Sequence, residues 1–533
     1  MIRPIKHYTA DDVREQSYAL GMGIDEDQLE EYARLLNVMV DAVKPVDRNQ
    51  GRTSSLSTAS GDIHRSIKDV SEEERATRDP LNAIVRWVSI KSREASATSG
   101  PLAGFRMGLK DNIAVASVPM TCASRILQGF TPTIDATVTK RLIEAGAEIV
   151  AILNMENMAF SGGSESSHYG PIGNPCDPNR VAGGSSGGSG ASLAYPYIDA
   201  TIGGDQGGSI RIPACWCGVL GHKPTHSLVP YTGAVGIDKT IDHLGPMTRT
   251  VKEAAQVLRA ISGPDPSDPR QLTLDATEVQ TDLDNLLNGE SDLNLKGIKL
   301  GILKEGWGEY AQIEPEINTE IRKTVDRFVE LGAELVDVSV PEHLTSAHPS
   351  FAMFAEGMVA SLYGGGSGMG TFGDYWPELA QALGKGMQTG ASDLSPQYKA
   401  IIMCGTMLRD NYFGATYGYA MRRRDEIRTA FDKQFENIDA LIMPTCPTLA
   451  YEFDPTLPVD EWVLRGWAMI TNTTTFNMTG HPSLTMPTSK VNGLPAGTML
   501  VGPQLSDGKL LQIAAAYENH FGWELGADGT MKA

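Results

Sequence analysis

Three stretches of the chain concentrate residue types suited to acyl-transfer chemistry. GGDQGGSIRIPA (203–214) places Ser209 behind four glycines, with Asp205 and Gln206 threaded among them and Arg211 two residues beyond Ser209. Glycine is costly to order, but it lets the main chain turn sharply and approach a ligand without a Cβ in the way. The segment therefore suits a loop whose N–H groups, from Gln206 through Gly207 and Gly208 to Ser209, converge beside the Ser209 hydroxyl. Converging amides stabilise the oxyanion that forms when a hydroxyl attacks a carbonyl carbon. A serine hydroxyl is a weak nucleophile until a base removes its proton. Lys110, in GFRMGLKDNIAV (104–115), follows mostly apolar, strand-like residues. If its stem is buried, its pKa falls from about 10.4 and the amine becomes a base. The competing reading pairs Lys110 with Asp111 on a surface turn.

The third stretch is AGGSSGGSGAS (182–192). As a flexible linker it is out of place, because α/β segments flank it and ASLAY continues as helix. As a phosphate loop it lacks the lysine that should follow the glycines. Residues 183–187 match G-x-S-x-G with Ser185 central, the pattern of a nucleophile elbow. An elbow needs an apolar strand just before it, and NPCDPNRVA (174–182) is loop-like. The downstream histidines, His222 and His226 included, sit in no telling context and read as structural.

The elements that must position these residues are legible from periodicity. Residues 24–43 carry Leu29, Tyr32, Ala33, Leu36, Val40 and Val43 at helical spacing, with acidic residues in the first turn. A breaker-rich stretch follows, and a small helical N-terminal region is expected over 1–80. From there LIEAGAEIVAI (142–152) and FVELGAELVDV (328–338) share one grammar: helix, glycine, apolar strand. Further strands are predicted at 298–303 and 440–443. These units predict an α/β protein with a large mixed central sheet flanked by helices, occupying 81–533. Residues 341–420, including GGGSGMG (364–370), read as a less regular insertion, either bordering a pocket or forming a variable surface loop.

Composition sets the outer limits. The net charge of −20 argues against a nucleic-acid or anionic-membrane surface and leaves small neutral molecules open. The six cysteines form no disulfide framework and no zinc pattern, and read as reduced. No apolar run reaches membrane-span length and no h-region opens the chain, so a cytoplasmic location without membrane attachment is expected.

GLKDNI (108–113), AGGSSGGS (182–189), GGDQGGSIRIPA and CGVLGHKPT (217–225) together resemble the amidase signature family, with the core at about 105–250. The wording GGDQGGSIRIPA, HKPT and IDHLGPMTRT (241–250) is similar to that of bacterial nitrile-pathway amidases. The resemblance implies a Ser–cis-Ser–Lys triad: Ser209 as nucleophile, Ser185 as the bridging serine after a cis peptide bond, and Lys110 as base. It puts the oxyanion donors on the backbone of Gln206, Gly207, Gly208 and Ser209, and Phe160 near the substrate acyl group. Ser186, Asp205 and Arg211 become bracing residues. The implied reaction is hydrolysis of a small neutral amide through an acyl-enzyme, with no metal or cofactor, in a homodimer. Aryl acylamidase and urethanase activity share the same triad. The more distant alternatives are a non-catalytic binding protein and the glutamine-hydrolysing component of an amidotransferase.

Overall fold

The computed structural model describes residues 6–43, 56–94, 99–271, 273–364, 373 and 375–523. By contacts the chain divides at Ser55/Leu56 into two compact units.

The N-terminal unit is a pair of helices, Ala10–Ala19 and Leu29–Val43. Thr9 and Asp12 close a reciprocal capping box on the first helix, which satisfies two otherwise orphaned N–H groups. Val13, Leu29 and Ala33 form its small core, with Ala10, Ile24 and Leu36 packed on it. The helix predicted over 24–43 is present, preceded by a 3-10 turn at Glu26–Gln28.

Among the described residues, the main unit is built on one mixed sheet of twelve strands. In chain order they are β1 (Ile63–Lys68), β2 (Ile84–Ser92), β3 (Arg106–Lys110), β4 (Glu148–Leu153), β5 (Ala200–Asp205) and β6 (Leu220–Lys223). There follow β7 (His243–Thr248), β8 (Lys299–Leu303), β9 (Glu334–Val338), β10 (Ala440–Pro444), β11 (Ser483–Val491) and β12 (Leu494–Val501). Their order across the sheet is β1-β2-β4-β3-β5-β7-β6-β11-β12-β10-β8-β9. The parallel pairs are β3 with β4 and β5, and β8 with β9 and β10. Both predicted helix–glycine–strand units are present: Thr137–Glu144 leads into β4 through Gly146 (φ 98°), and Pro315–Glu330 leads into β9 through Gly332 (φ 100°). Each turn needs the left-handed backbone that glycine adopts freely.

Two expectations are corrected. The N-terminal helical region ends before residue 56, because Ile63–Lys68 pairs antiparallel with β2 as the sheet's edge strand. The 341–420 segment is mostly helical: Ala347–Tyr363, Pro377–Gly390, Pro396–Tyr412 and the start of Ala415–Phe435. Residues 365–370 of its glycine run lie outside the described residues. No helix among the described residues is long and apolar enough to cross a membrane.

The sheet positions the chemistry through its centre. Adjacent parallel strands β3 and β5 run in register, Met107 opposite Ala200 and Leu109 opposite Ile202. Their C-terminal ends deliver Lys110 and Asp205 to the same edge, where α/β sheets habitually place ligands. The serine-rich turn is seated on that edge by the short helix Gly187–Ala191. At Gly188 an added Cβ would lie 2.4 Å from the Asn154 carbonyl oxygen and 2.5 Å from that of Ala83. Gly188→Ala is therefore expected to destabilise the protein by about 1–3 kcal/mol through forced backbone displacement. Urea denaturation checks this; a loss below about 0.5 kcal/mol would show that the turn is not seated by that contact.

Candidate active site

Lys110 ends β3 in full burial, and its side chain points into the serine turn. Its Nζ donates to Ser185 Oγ at 2.8 Å and to the Gly204 carbonyl at 3.3 Å. Burial strips water from the ammonium and lowers its pKa to about 7; the negative charge of Asp205 acts in the opposite direction. The surface pair with Asp111 is not formed. The Asp111 carboxylate accepts instead from the Thr121 hydroxyl and from the N–H groups of Thr121 and Ala123, with its pKa raised to about 6 by burial.

Ser185 follows a cis peptide bond from Gly184. Its carbonyl accepts from Glu156 N–H at 3.1 Å. The turn is further held by Gly184 N–H to Gly162 O at 2.7 Å and Gly183 N–H to Gly163 O at 3.1 Å. Val181, upstream, forms only an isolated bridge with Gly173. No strand runs into Ser185, so the turn is not a strand-to-helix elbow. Ser186 ties the two serine segments together. Its N–H donates to the Ser209 carbonyl at 3.2 Å, and its hydroxyl donates to Gly204 O at 3.0 Å. The Ser209 side chain makes no hydrogen bond within the protein among the described residues, and Ser209 lines the pocket.

The glycine loop is shaped by a buried ion pair. Asp205 and Arg211 are both fully buried and meet in a two-pronged contact, Nε to Oδ2 and Nη2 to Oδ1, each 3.0 Å. Asp205 also accepts from Gly208 N–H at 2.8 Å, Ile210 N–H at 3.0 Å and Asn477 Nδ2 at 2.8 Å. Burial opposes its ionisation, but Arg211 and these donors prevail and hold its pKa well below the usual carboxylate range. Arg211 continues to the Thr473 carbonyl at 2.9 Å and to Asn477 Oδ1. Thr473 Oγ1 in turn donates to Gly207 O at 2.6 Å. Gly208 has φ 142°, and a Cβ there would lie 2.4 Å from Thr473 Oγ1, so only glycine fits.

This arrangement corrects the expected oxyanion set. Gly208 N–H is committed to Asp205 and leaves it, because the carboxylate caps the turn from behind. The N–H groups of Gln206, Gly207 and Ser209 have no protein acceptor among the described residues.

A pocket of about 400 Å³ opens in front of Ser209, Gly207 and Gln206. Its walls are Phe160, Ile212, Ile237, Phe351, Phe354, Trp467 and Ile470, and among the described residues no charged side chain lines it. The Phe160 ring stands 5.9 Å from both Phe354 and Trp467. Phe160 lines this pocket, and the 341–420 segment supplies a wall through Phe351 and Phe354. Glu156, Thr473 and Asn477 carried no local signal in the sequence beyond the polar run TNTTTFN (471–477). His222 and His226 are structural, bonded to Asp507 at 2.9 Å and to the Lys239 carbonyl at 2.9 Å.

The family model for amidases matches residues 74–511, most of the chain. The chain belongs to the amidase signature family. Among curated relatives of this amidase-family chain, an enantioselective amidase of Rhodococcus rhodochrous is 37% identical over 452 residues, 84% of each protein. A glutamyl-tRNA(Gln) amidotransferase component from Trichormus variabilis is 35% identical over 432 residues, 80% of this chain and 86% of the relative. The solved structure of the corresponding protein from Thermotoga maritima superposes with a TM-score of 0.68 at 28% identity, covering 87% of this chain and 96% of the other.

Asp205→Asn leaves Arg211 buried without its counter-charge. The variant is expected to lose about 3–5 kcal/mol in urea denaturation. A loss below about 1 kcal/mol would mean that the pair does not hold the glycine loop.

Proposed function

We propose that the chain is an amidohydrolase that cleaves small neutral amides, aryl or aliphatic, to a carboxylic acid and ammonia or an amine. The observation that carries this reading is the apolar, uncharged pocket facing Ser209, together with the buried Lys110–Ser185 hydrogen bond in the turn that Ser186 N–H joins to the Ser209 carbonyl. Neutral Lys110 draws the Ser185 proton, and Ser185 takes that of Ser209 as Ser209 attacks the amide carbon. The N–H groups of Gln206, Gly207 and Ser209 receive the oxyanion. The same proton chain returns a proton to the leaving amine, and water then releases the acid from the acyl-enzyme. Anilides and carbamates fit the same scheme as alternative substrates. The high net negative charge agrees with a freely diffusing neutral substrate and with a cytoplasmic enzyme that engages neither nucleic acid nor membrane.

The second reading is the glutamine-hydrolysing component of an amidotransferase, prompted by the Trichormus relative. Glutamine carries an ammonium and a carboxylate, and burying either without a partner is costly. The residues lining this pocket offer neither a counter-charge, which favours neutral amides.

Ser209→Ala is expected to lose turnover of benzamide by on the order of 10⁴-fold or more while keeping its melting temperature. A fluorophosphonate probe should label Ser209 in the parent; hydrolysis at near-parental rate in the variant would eliminate the mechanism. The pH dependence has a defined sign. Only unprotonated Lys110 accepts a proton, so kcat/KM should rise with pH through about 7 and level off above it. An acid limb centred near an ordinary lysine value would contradict the role given to Lys110.

A further inference from the structure

The loop at 160–166 has the serine turn on one side and the helix Val459–Ala468 on the other. Gly162 and Gly163 carbonyls hold the turn through Gly184 and Gly183. Gly162 N–H donates to the Gly466 carbonyl of the helix at 2.9 Å. Gly466 and Trp467 of that helix, Ile470 just beyond it, and Phe160, Ser161 and Gly162 of the loop all line the pocket, and the Phe160 and Trp467 rings meet edge-on at 5.9 Å. The contact between loop and helix therefore closes this side of the pocket, and parting them would widen it.

Behind the pocket, one carboxylate gathers three donors. Glu165 Oε1 accepts from Arg465 Nη2 at 2.9 Å, and Oε2 accepts from Trp462 Nε1 and Tyr451 OH, each at 3.2 Å. The guanidinium of Arg465 lies 4.1 Å over the Tyr451 ring, and Tyr451 packs edge-on against the buried Trp216. The Glu165 side chain is only 10% exposed and that of Arg465 22%. Burial pushes the Glu165 carboxyl up, and Arg465 pulls it back. A charge so enclosed is stable only while its partner stays in place, so it resists separation of the elements that carry the two groups. Glu165 and Arg465 touch none of the reacting groups.

We propose that Glu165 and Arg465 form a clamp that fixes the width of the acyl pocket, and so act as positioning residues that decide which acyl groups fit. The inference rests on the amide reading for its substrate class, but its geometry is independent of turnover. With the clamp intact the wall helix is held against the 160–166 loop and small acyl groups are favoured. With it cut, Trp467 can retreat and larger acyl groups gain.

The test measures dissociation constants of benzamide and 4-phenylbenzamide, by tryptophan fluorescence, in Ser209→Ala protein with and without Glu165→Gln, so that no turnover intervenes. Cutting the clamp should shift the ratio of the two constants about tenfold towards the larger amide, a change on the scale of one methylene gained or lost in an apolar pocket. Arg465→Met should give the same shift and carries the test if Glu165→Gln does not fold. Arg465→Lys, which keeps a cation, should stay near the parent ratio. A ratio within about twofold of the parent in both charge-removing variants, or equal weakening of both amides, would overturn the clamp. In the otherwise unaltered enzyme, Glu165→Gln should leave the acid limb near pH 7 in place; a moved limb would mean that Glu165 acts on Lys110 and not on pocket width. If the parent hydrolyses neither amide but the binding ratio still shifts, the amide reading fails and the clamp stands.

Discussion

The site depends on placing an amine where water cannot reach it. Lys110 is fully buried, and its Nζ has two near oxygen partners, Ser185 Oγ and the Gly204 carbonyl. Neither partner is charged, so desolvation outweighs attraction and the amine titrates near neutrality. Asp205, the largest opposing influence, is already committed to Arg211. Had Asp205 been free to pair with Lys110, the ammonium would have been stabilised and its basicity at neutral pH lost. The buried arginine is thus as much a part of the lysine's chemistry as of the loop's shape.

Every other feature of the site follows from that seat at the end of β3. The parallel register of β3 and β5 brings the lysine beside the glycine loop, and the 160–166 loop holds the serine turn against both. Among the described residues, the capped turn leaves three N–H groups without acceptors at the mouth of an aromatic pocket, while the fourth is spent on the cap. Excluding water from the pocket strengthens each of these electrostatic contacts.

Much of this was legible in the sequence where glycine and serine cluster, because those residues are too costly to accumulate without a geometric reason. Ser185, Ser209 and the Asp205–Arg211 brace all stood in such runs, and Lys110 was legible as a cation closing an apolar, strand-like stretch. The helix–glycine–strand units at 137–152 and 321–338 were legible because burial on one face imposes a period. What stayed hidden was of two kinds. Thr473 and Asn477 reach Arg211 and Asp205 across more than 260 residues, and no local pattern encodes such a partner. The edge strand Ile63–Lys68 is only partly covered, with Ile67 41% exposed, so it lacks the alternation that announces a strand. The helix Ala347–Tyr363 failed for the opposite reason: it is apolar nearly all round, leaving little amphipathic rhythm to read.

The most direct measurement is the titration of Lys110 itself, followed by NMR of lysine labelled with nitrogen-15 at Nζ. Its resonance is assigned by its absence from the Lys110→Arg spectrum. A midpoint near 7 is the result the buried-amine account requires, and a midpoint near the ordinary lysine value of 10.5 would contradict it.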